Sequence, residues 1–286
     1  MELNEIIAPP VPHKDSSKCP FCPIEKPPTY TTIPGDGNNS TTLGNNMDAG
    51  SIEGGTRPKE GPKGTRKKEL QRPAPIGTHP DPKIGPYSSE PHHLISGKQA
   101  LAHNGEHEFE DWIKASAKIE ADTGYSVNNF DNGIWMPSVP ESTKGVGGAW
   151  AKLDRKAVAE YIMKDTKRQF HKGAHNIPET KLVKGVRVPV PDDERLHEQY
   201  DQYLIDMLKA MSKRMKGWAA VCGLCQTRKK KGEKYQPTGR ANEALDRLSV
   251  AASRKITGSR KSWTLFISTL AFLYHDEVCE HEEPVY

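Results

Sequence analysis

The sequence predicts a mostly helical α+β chain with a modest core, and three observations carry that expectation. Apolar residues recur at helical spacing in several separate stretches. Strand-length runs are few: 92–95, a candidate extended segment at 125–130, and the alternation of Val186, Val188 and Val190. Finally, residues 26–86 are dominated by Pro, Gly, Asn, Thr and Lys, and the mean hydropathy of the 286-residue chain is −0.75, so a large part cannot bury enough apolar surface to pack.

Taken in order, Pro9, Pro10 and Pro12 make the first residues an extended lead-in to a cysteine pair, followed by the 26–86 linker, read as disordered. Order begins near Tyr87, with 92–95 as a strand or strand end that presents two adjacent histidines. Phe109, Trp112, Ile113, Ser116 and Ala117 fall at helical spacing and Gly124 follows as a stop signal, so 107–122 reads as a helix. Asp131, Asn132 and Gly133 form a turn signal, after which Ile134, Trp135 and Met136 resume an apolar pattern that Pro137 ends.

A Ser/Gly-rich piece at 138–148 is read as flexible. The helix that follows, 153–168, carries Ala157, Val158, Tyr161 and Ile162 on one side and delivers the chain to His171. Residues 182–190 read as a strand or hairpin arm. Asp192 and Asp193 can cap a long helix with Leu196, Tyr200, Tyr203, Leu204, Met207, Leu208, Met211 and Met215 on one face, ended by Gly217. Two more helices are expected at 242–254 and 263–275. The run 265–274 is about half the length a bilayer span needs, so it reads as a buried helix. No amino-terminal stretch has signal-peptide form, so export by the general secretory route is not expected.

Four of the five cysteines form Cys19-Pro-Phe-Cys22 and Cys222-Gly-Leu-Cys225. Two such pairs are the pattern of a tetrahedral structural Zn2+ site, because each tight turn aims two thiolates at one ion. Local redox dithiols or disulfides are the other readings. A shared ion would tie the amino terminus across the long 26–86 loop, an entropic stabilisation. The 41 Lys+Arg against 37 Asp+Glu leave only +4, which does not by itself imply a nucleic-acid partner. Arg228, Lys229, Lys230 and Lys231 are a local basic run, either solvated surface or a phosphate contact.

The chemistry-bearing set is His92-His93, Asn132 and His171-Lys-Gly-Ala-His175. A phosphodiester resists water because the nucleophile must lose a proton while charge on the phosphorane and the leaving oxygen is stabilised. An imidazole titrating near neutrality suits the first task. A divalent ion held by neutral imidazoles suits the second. Adjacent residues of a strand point to opposite sides, so His92 can face the ion while His93 faces the water. The bland reading, surface histidines, is assigned to His13, His79, His103, His107, His275 and His281.

In this ordered combination, Pro91-His92-His93-Leu94-Ile95, Asn128-Asn129-x-x-Asn132-Gly133-Ile134-x-Met136-Pro137 and His171-x-Gly173-x-His175, the chain resembles the AHH group of HNH nucleases in the His-Me finger superfamily, over about residues 87–215. The resemblance implies a ββα-metal core clasping one divalent ion such as Mg2+ or Zn2+, with His93 as general base, His92, His171 and His175 as ligands, and Asn132 pinning the loop that orients the base. Pro178 and some fifteen residues separate His175 from the helix that contains Tyr200, a departure from the family that leaves His197 as the alternative last ligand. The expected organisation is an amino-terminal Cys segment (1–25), the linker (26–86), the nuclease core (87–220), and the second Cys pair with carboxy-terminal helices (221–286).

Many members of the group are toxin domains of secreted bacterial effectors. The resemblance therefore implies a low-specificity DNA endonuclease, a cognate immunity protein, a secretion-system spike or chaperone component as partner, and action in the target-cell cytoplasm. An RNase on the same scaffold, or a zinc-stabilised binding module without catalysis, are the rival expectations.

Overall fold

A computed structural model describes residues 38–49, 78–101, 109, 125–140, 152–172, 175–177, 179–184, 186–191, 197–221 and 240–279. Among the described residues helices predominate and the strands form two small two-stranded sheets. In chain order the elements are α1 (Ser40–Ala49), β1 (Tyr87–His93), β2 (Gly133–Pro140), α2 (Arg155–Thr166), β3 (Thr180–Val183), β4 (Val186–Pro189), α3 (Tyr200–Val221), α4 (Arg240–Ile256) and α5 (Thr269–Cys279). β1 pairs with β2, and β3 pairs antiparallel with β4. No described helix is long and apolar enough to cross a membrane.

The chain divides into two compact units. Unit 1 comprises Met1–Gln71, His93–Ile134 and Leu204–Ala251; unit 2 comprises Arg72–His92, Trp135–Tyr203 and Ala252–Tyr286.

Unit 2 is built on a core of Ile84, Tyr87, Val139, Val158, Ala159, Ile162, Met163, Phe170, Trp263, Phe266, Ala271 and Phe272. The expected second helix is present: Asp154 caps it by accepting the Ala157 N–H at 3.1 Å, and it buries Val158, Ala159, Ile162 and Met163, spaced one turn apart. It ends where Lys167 turns left-handed at φ 57° and donates its N–H to Met163 O. The next residues are fixed by polar bonds inside the core. Gln169 donates from Nε2 to Leu265 O at 2.7 Å and accepts the Ile267 N–H at 3.0 Å. Arg168 Nη1 donates to Trp135 O at 2.8 Å. Residues 265–267 are thus buried in an irregular, non-helical segment, and the expected helix over 263–275 begins only at Thr269. His275 is buried, 3% exposed, where a surface position was expected: it lies on α5 against Phe266.

Unit 1 holds a correction to the expected linker. Within 26–86, Ser40–Ala49 form α1, whose Leu43 and Met47, one turn apart, are buried. Asn39 caps it, accepting the Thr42 N–H at 2.9 Å. α1 packs against the 3-10 turn Phe130–Asn132 and the start of β2, where Gly133 leaves the room: a Cβ there would collide with Met47 Sδ and lie 2.8 Å from Leu43 Cδ1. Two apolar residues suffice because the partner is a glycine.

α3 starts at Tyr200, its second residue, Asp201, donating its N–H to Asn176 Oδ1 at 2.9 Å, and runs past Gly217 to Val221. Gly217 was expected to end it; the glycine is exposed and sits in an otherwise helix-forming run, where it only weakens the helix. Asp192, Asp193 and Leu196, the expected helix 107–122 apart from Phe109, and most of 138–148 lie outside the described residues; Ser138–Pro140 continue β2.

Candidate metal centre and general base

Three of the sequence-predicted histidines converge in unit 2. One ligand atom each from His92, His171 and His175 lie within 4.8 Å of one another, the one such group of three or more His, Cys, Asp or Glu side chains among the described residues. His92, on β1, is 2% exposed. His171 is held by main-chain bonds beside β2: its N–H donates to Pro137 O at 2.8 Å and its carbonyl accepts the Ser138 hydroxyl at 3.1 Å. The Gln169 bonds just before it explain why the chain leaves α2 in this direction.

His92 Nδ1 faces His171 Nε2 at 3.3 Å, and the ring of His175 stands edge-on to His92 with centroids 4.9 Å apart. Each of the two facing rings has an oxygen at its far nitrogen. Tyr200 Oη lies 3.3 Å from His92 Nε2, and Glu90 Oε2 lies 3.8 Å from His171 Nδ1. The Tyr200 hydroxyl is within hydrogen-bond reach of His92 and steadies its ring, while the Glu90 carboxylate is an ion-pair neighbour of His171 beyond hydrogen-bond distance. Burial, and then the charge of His171, push the His175 pKa down to about 4, so its imidazole is neutral at physiological pH, the form that binds a metal. The histidine triad is positioned to bind a divalent ion.

His197, the alternative last ligand, sits elsewhere in unit 2. Its ring packs against Phe266 (5.1 Å) and His275 (5.2 Å), and its backbone N–H donates to Glu179 Oε2 at 2.8 Å. The rings around it make a packed environment, and no set of three donors converges there among the described residues.

In unit 1, His93 follows His92 on β1. Its Nε2 lies 2.9 Å from Asn128 Oδ1, which also accepts the Asn39 backbone N–H at 3.0 Å. A backbone N–H can only donate, so the atom of Asn128 between them is its oxygen, and Nε2 of His93 must carry the proton. Nδ1 is left as the acceptor. Burial lowers the His93 pKa and the bond to Asn128 partly opposes it. Asn132, fully buried, ties three segments together: its side-chain oxygen accepts the Ile95 N–H at 2.8 Å and the Ser249 hydroxyl at 2.9 Å, and its amide donates to Ile95 O and Val127 O. Its own carbonyl accepts the Leu94 N–H at 2.8 Å. The residues after His93 are thereby locked to the 127–132 turn.

Sequence reasoning missed Asn128, Tyr200 and Glu90 as parts of this arrangement. Asn128 stood inside a quoted motif and Glu90 just before one, and only their side-chain directions give them a role. Cys19, Cys22, Cys222, Cys225, Arg228, Lys229, Lys230 and Lys231 lie outside the described residues.

Adjacent histidines on one strand of a pair, further histidines from the following segment and an asparagine-locked turn define a nuclease of the HNH type, a hydrolase of phosphodiester bonds. The model of the AHH family, described as a nuclease family of the HNH/ENDO VII superfamily with conserved AHH, matches residues 78–220, and the chain belongs to that family. Where the family name has AHH, this chain has Pro91-His92-His93. No curated protein and no solved structure matches the chain.

Proposed function

We propose that this nuclease is a metal-dependent endonuclease that cuts DNA with little sequence preference. The convergence of His92, His171 and His175 carries the reading, supported by the family membership. Those three side chains would hold the ion, with His175 and not His197 as the last ligand. When bound, a divalent ion there supplies Lewis acidity at the phosphate and stabilises charge on the leaving oxygen.

The remaining work falls to the chain itself. His93, protonated at Nε2 and held there by Asn128, offers Nδ1 to take a proton from the attacking water. Asn132 touches neither water nor phosphate in this scheme; it is a positioning residue that keeps the 94–95 backbone and the 127–132 turn in register. Tyr200 steadies the His92 ring, and the Glu90 carboxylate stands near His171.

The test is incubation of the purified protein with plasmid and, separately, structured RNA, in the presence of Mg2+, Mn2+ or Zn2+. Nicked, then linear, then degraded plasmid is expected. A His93→Ala variant as active as the parent removes the assigned base, and exclusive cleavage of RNA reassigns the substrate.

The finer context rests on the resemblance of the motifs to secreted bacterial toxin domains. In this reading the chain is made in the bacterial cytoplasm, delivered through a secretion-system spike or chaperone, and active in the target-cell cytoplasm. An immunity protein with an acidic surface guards the producer, because an acidic surface can compete with the polyanionic substrate and complementary charge favours fast capture. Expression of the parent alone in a bacterial cytoplasm should fragment the chromosome, and a harmless parent sinks the toxin role. Cys19, Cys22, Cys222 and Cys225 would hold a separate structural Zn2+. Metal counted per chain should fall by one in Cys222→Ser while the histidine site keeps its ion; an unchanged count removes the knuckle.

A further inference from the structure

The insertion between His175 and Tyr200, absent from the expected pattern of the family, folds as a hairpin. Thr180–Val183 pair antiparallel with Val186–Pro189, Val183 facing Val186 across a two-residue turn that begins with Lys184 in the left-handed region at φ 49°. It leaves the chain five residues after one histidine of the cation site and returns eleven residues before Tyr200. Its two faces are unlike. On one, Arg187 Nη2 bonds Asp276 of α5 at 2.7 Å and its Nη1 reaches Thr180 Oγ1 at 3.2 Å, which anchors the hairpin to the unit although Arg187 and Pro189 stay exposed. By alternation and register the other face carries Lys181, Val183, Val186 and Val188.

That second face looks outward. Val183 is 42% and Val186 63% exposed, the large apolar side chains most open to solvent among the described residues, and Lys181 and Lys184 beside them are exposed. The second face and the turn carry Lys181 and Lys184 and no acidic residue, while Arg187 on the first face is paired with Asp276. A tip that sets branched apolar groups between lysines is poorly matched to water and well matched to a polyanion with apolar groups recessed between its charges. Nucleic-acid duplexes have that form: phosphates at the groove edge, base edges and methyl groups on its floor. A two-stranded ribbon of four residues per strand is about 13 Å long and enters a groove about 12 Å wide.

We propose that the outward face of the β3–β4 hairpin is a duplex-binding ribbon, with Lys181 and Lys184 on backbone phosphates and Val183 and Val186 entering the groove. It rests on the nuclease reading and gives the substrate a second hold on the polypeptide, beside the cation site in sequence and independent of the ion. Its contribution is to affinity, so its loss raises KM.

The test uses the full chain without added metal, which prevents turnover, and a fluorescent DNA duplex titrated by anisotropy at several salt concentrations. Replacing both lysines (Lys181→Ser with Lys184→Ser) should weaken binding at low salt about tenfold. The slope of log affinity against log salt should drop by about 2, close to one counterion for each phosphate that the variant no longer neutralises. Val183→Ser with Val186→Ser should weaken binding a few fold and leave the slope as it was. Both pairs are exposed, so unchanged thermal melting certifies the fold. With metal present, the loss should fall on KM. A parent that binds and cuts while both variants bind with the same affinity and slope overturns the ribbon alone. A parent that binds no duplex and cuts none overturns the ribbon and the DNA reading together.

Discussion

His93 Nε2 lies 2.9 Å from the side-chain oxygen of Asn128, an oxygen that also receives the Asn39 backbone N–H. The second bond matters most. It makes this atom an acceptor, which fixes the His93 proton on Nε2 and leaves Nδ1 free to accept one. Asn128→Ala should lower kcat by about 10- to 100-fold with little change in KM, less than the roughly 10²- to 10⁴-fold typical of losing a general base outright in His93→Ala. Nitrogen-15 spectra of the metal-free protein check the cause: His93 should be protonated at Nε2 in the parent and distributed over both nitrogens in Asn128→Ala. Identical spectra in the two proteins would falsify the orienting role.

Asn132 makes no comparable appeal to chemistry. Its amide closes four bonds in a fully buried place, and its carbonyl closes a fifth. Asn132→Ala leaves the Ile95 N–H and carbonyl, Val127 O and the Ser249 hydroxyl without this partner. Each buried group stranded in this way costs about 1–3 kcal/mol, so a loss of roughly 3 kcal/mol or more is expected in denaturant unfolding. Asn132→Asp sets a carboxylate oxygen against the Ile95 and Val127 carbonyls and buries a charge, and should cost at least as much. An Asn132→Ala protein as stable as the parent would show that the turn is held by something else.

The motif segments were legible in the sequence because histidine pairs at one and four positions' spacing carry a pattern that survives without structure. What the spacing could not convey was which of His175 and His197 joins His92, since that is decided by packing: Phe266 and His275 surround His197, and those residues are nearly seventy or more positions away in the chain. α1 was hidden for the opposite reason. Its ten residues contain two large apolar side chains, too few to show a period, and their partner Gly133 contributes space and no side chain. The burial of His275 was equally illegible, because a polar residue in an apolar run reads as a surface position until the ring beside it is known.

The histidines also set how stability depends on pH. His175 is pushed down to about 4 by burial and by His171, and burial likewise lowers His93, His197 and His275. Each binds its proton more weakly folded than unfolded. Between the folded value of His175 near 4 and the ordinary 6.5, the unfolded chain therefore holds the extra proton, and stability rises with pH across that window. The melting temperature of the metal-free protein should fall as pH drops from about 6.5 toward 4. His175→Ala should flatten this slope by up to one proton, about 1.4 kcal/mol per pH unit. Adding Mn2+ or Zn2+ near pH 7 should raise the melting temperature of the parent, and less so, or not at all, in His171→Ala, because only the folded chain assembles the three ligands. Equal metal-induced shifts in both proteins would place the ion away from this cluster.

The close approach of α1 to Gly133 gives a sharper test of the amino-terminal helix than removing it. A methyl group at 133 meets Met47 Sδ and lies 2.8 Å from Leu43 Cδ1, so one of these buried side chains must move. Overpacking of this kind costs about 1–3 kcal/mol, and Gly133→Ala should show it in denaturant unfolding. Met47→Ala alone removes a buried side chain, which costs about 2–5 kcal/mol with the cavity it leaves. In the double variant the methyl group enters space that the methionine has vacated. Its loss should then be smaller than the sum of the two by at least about 0.5 kcal/mol, the scale of coupling between residues in contact. Additive losses would mean that α1 does not rest on Gly133, and would return residues 40–49 to the linker that their composition suggests. Coupling would also extend to His93, since the residue before α1 supplies the N–H that fixes the Asn128 oxygen.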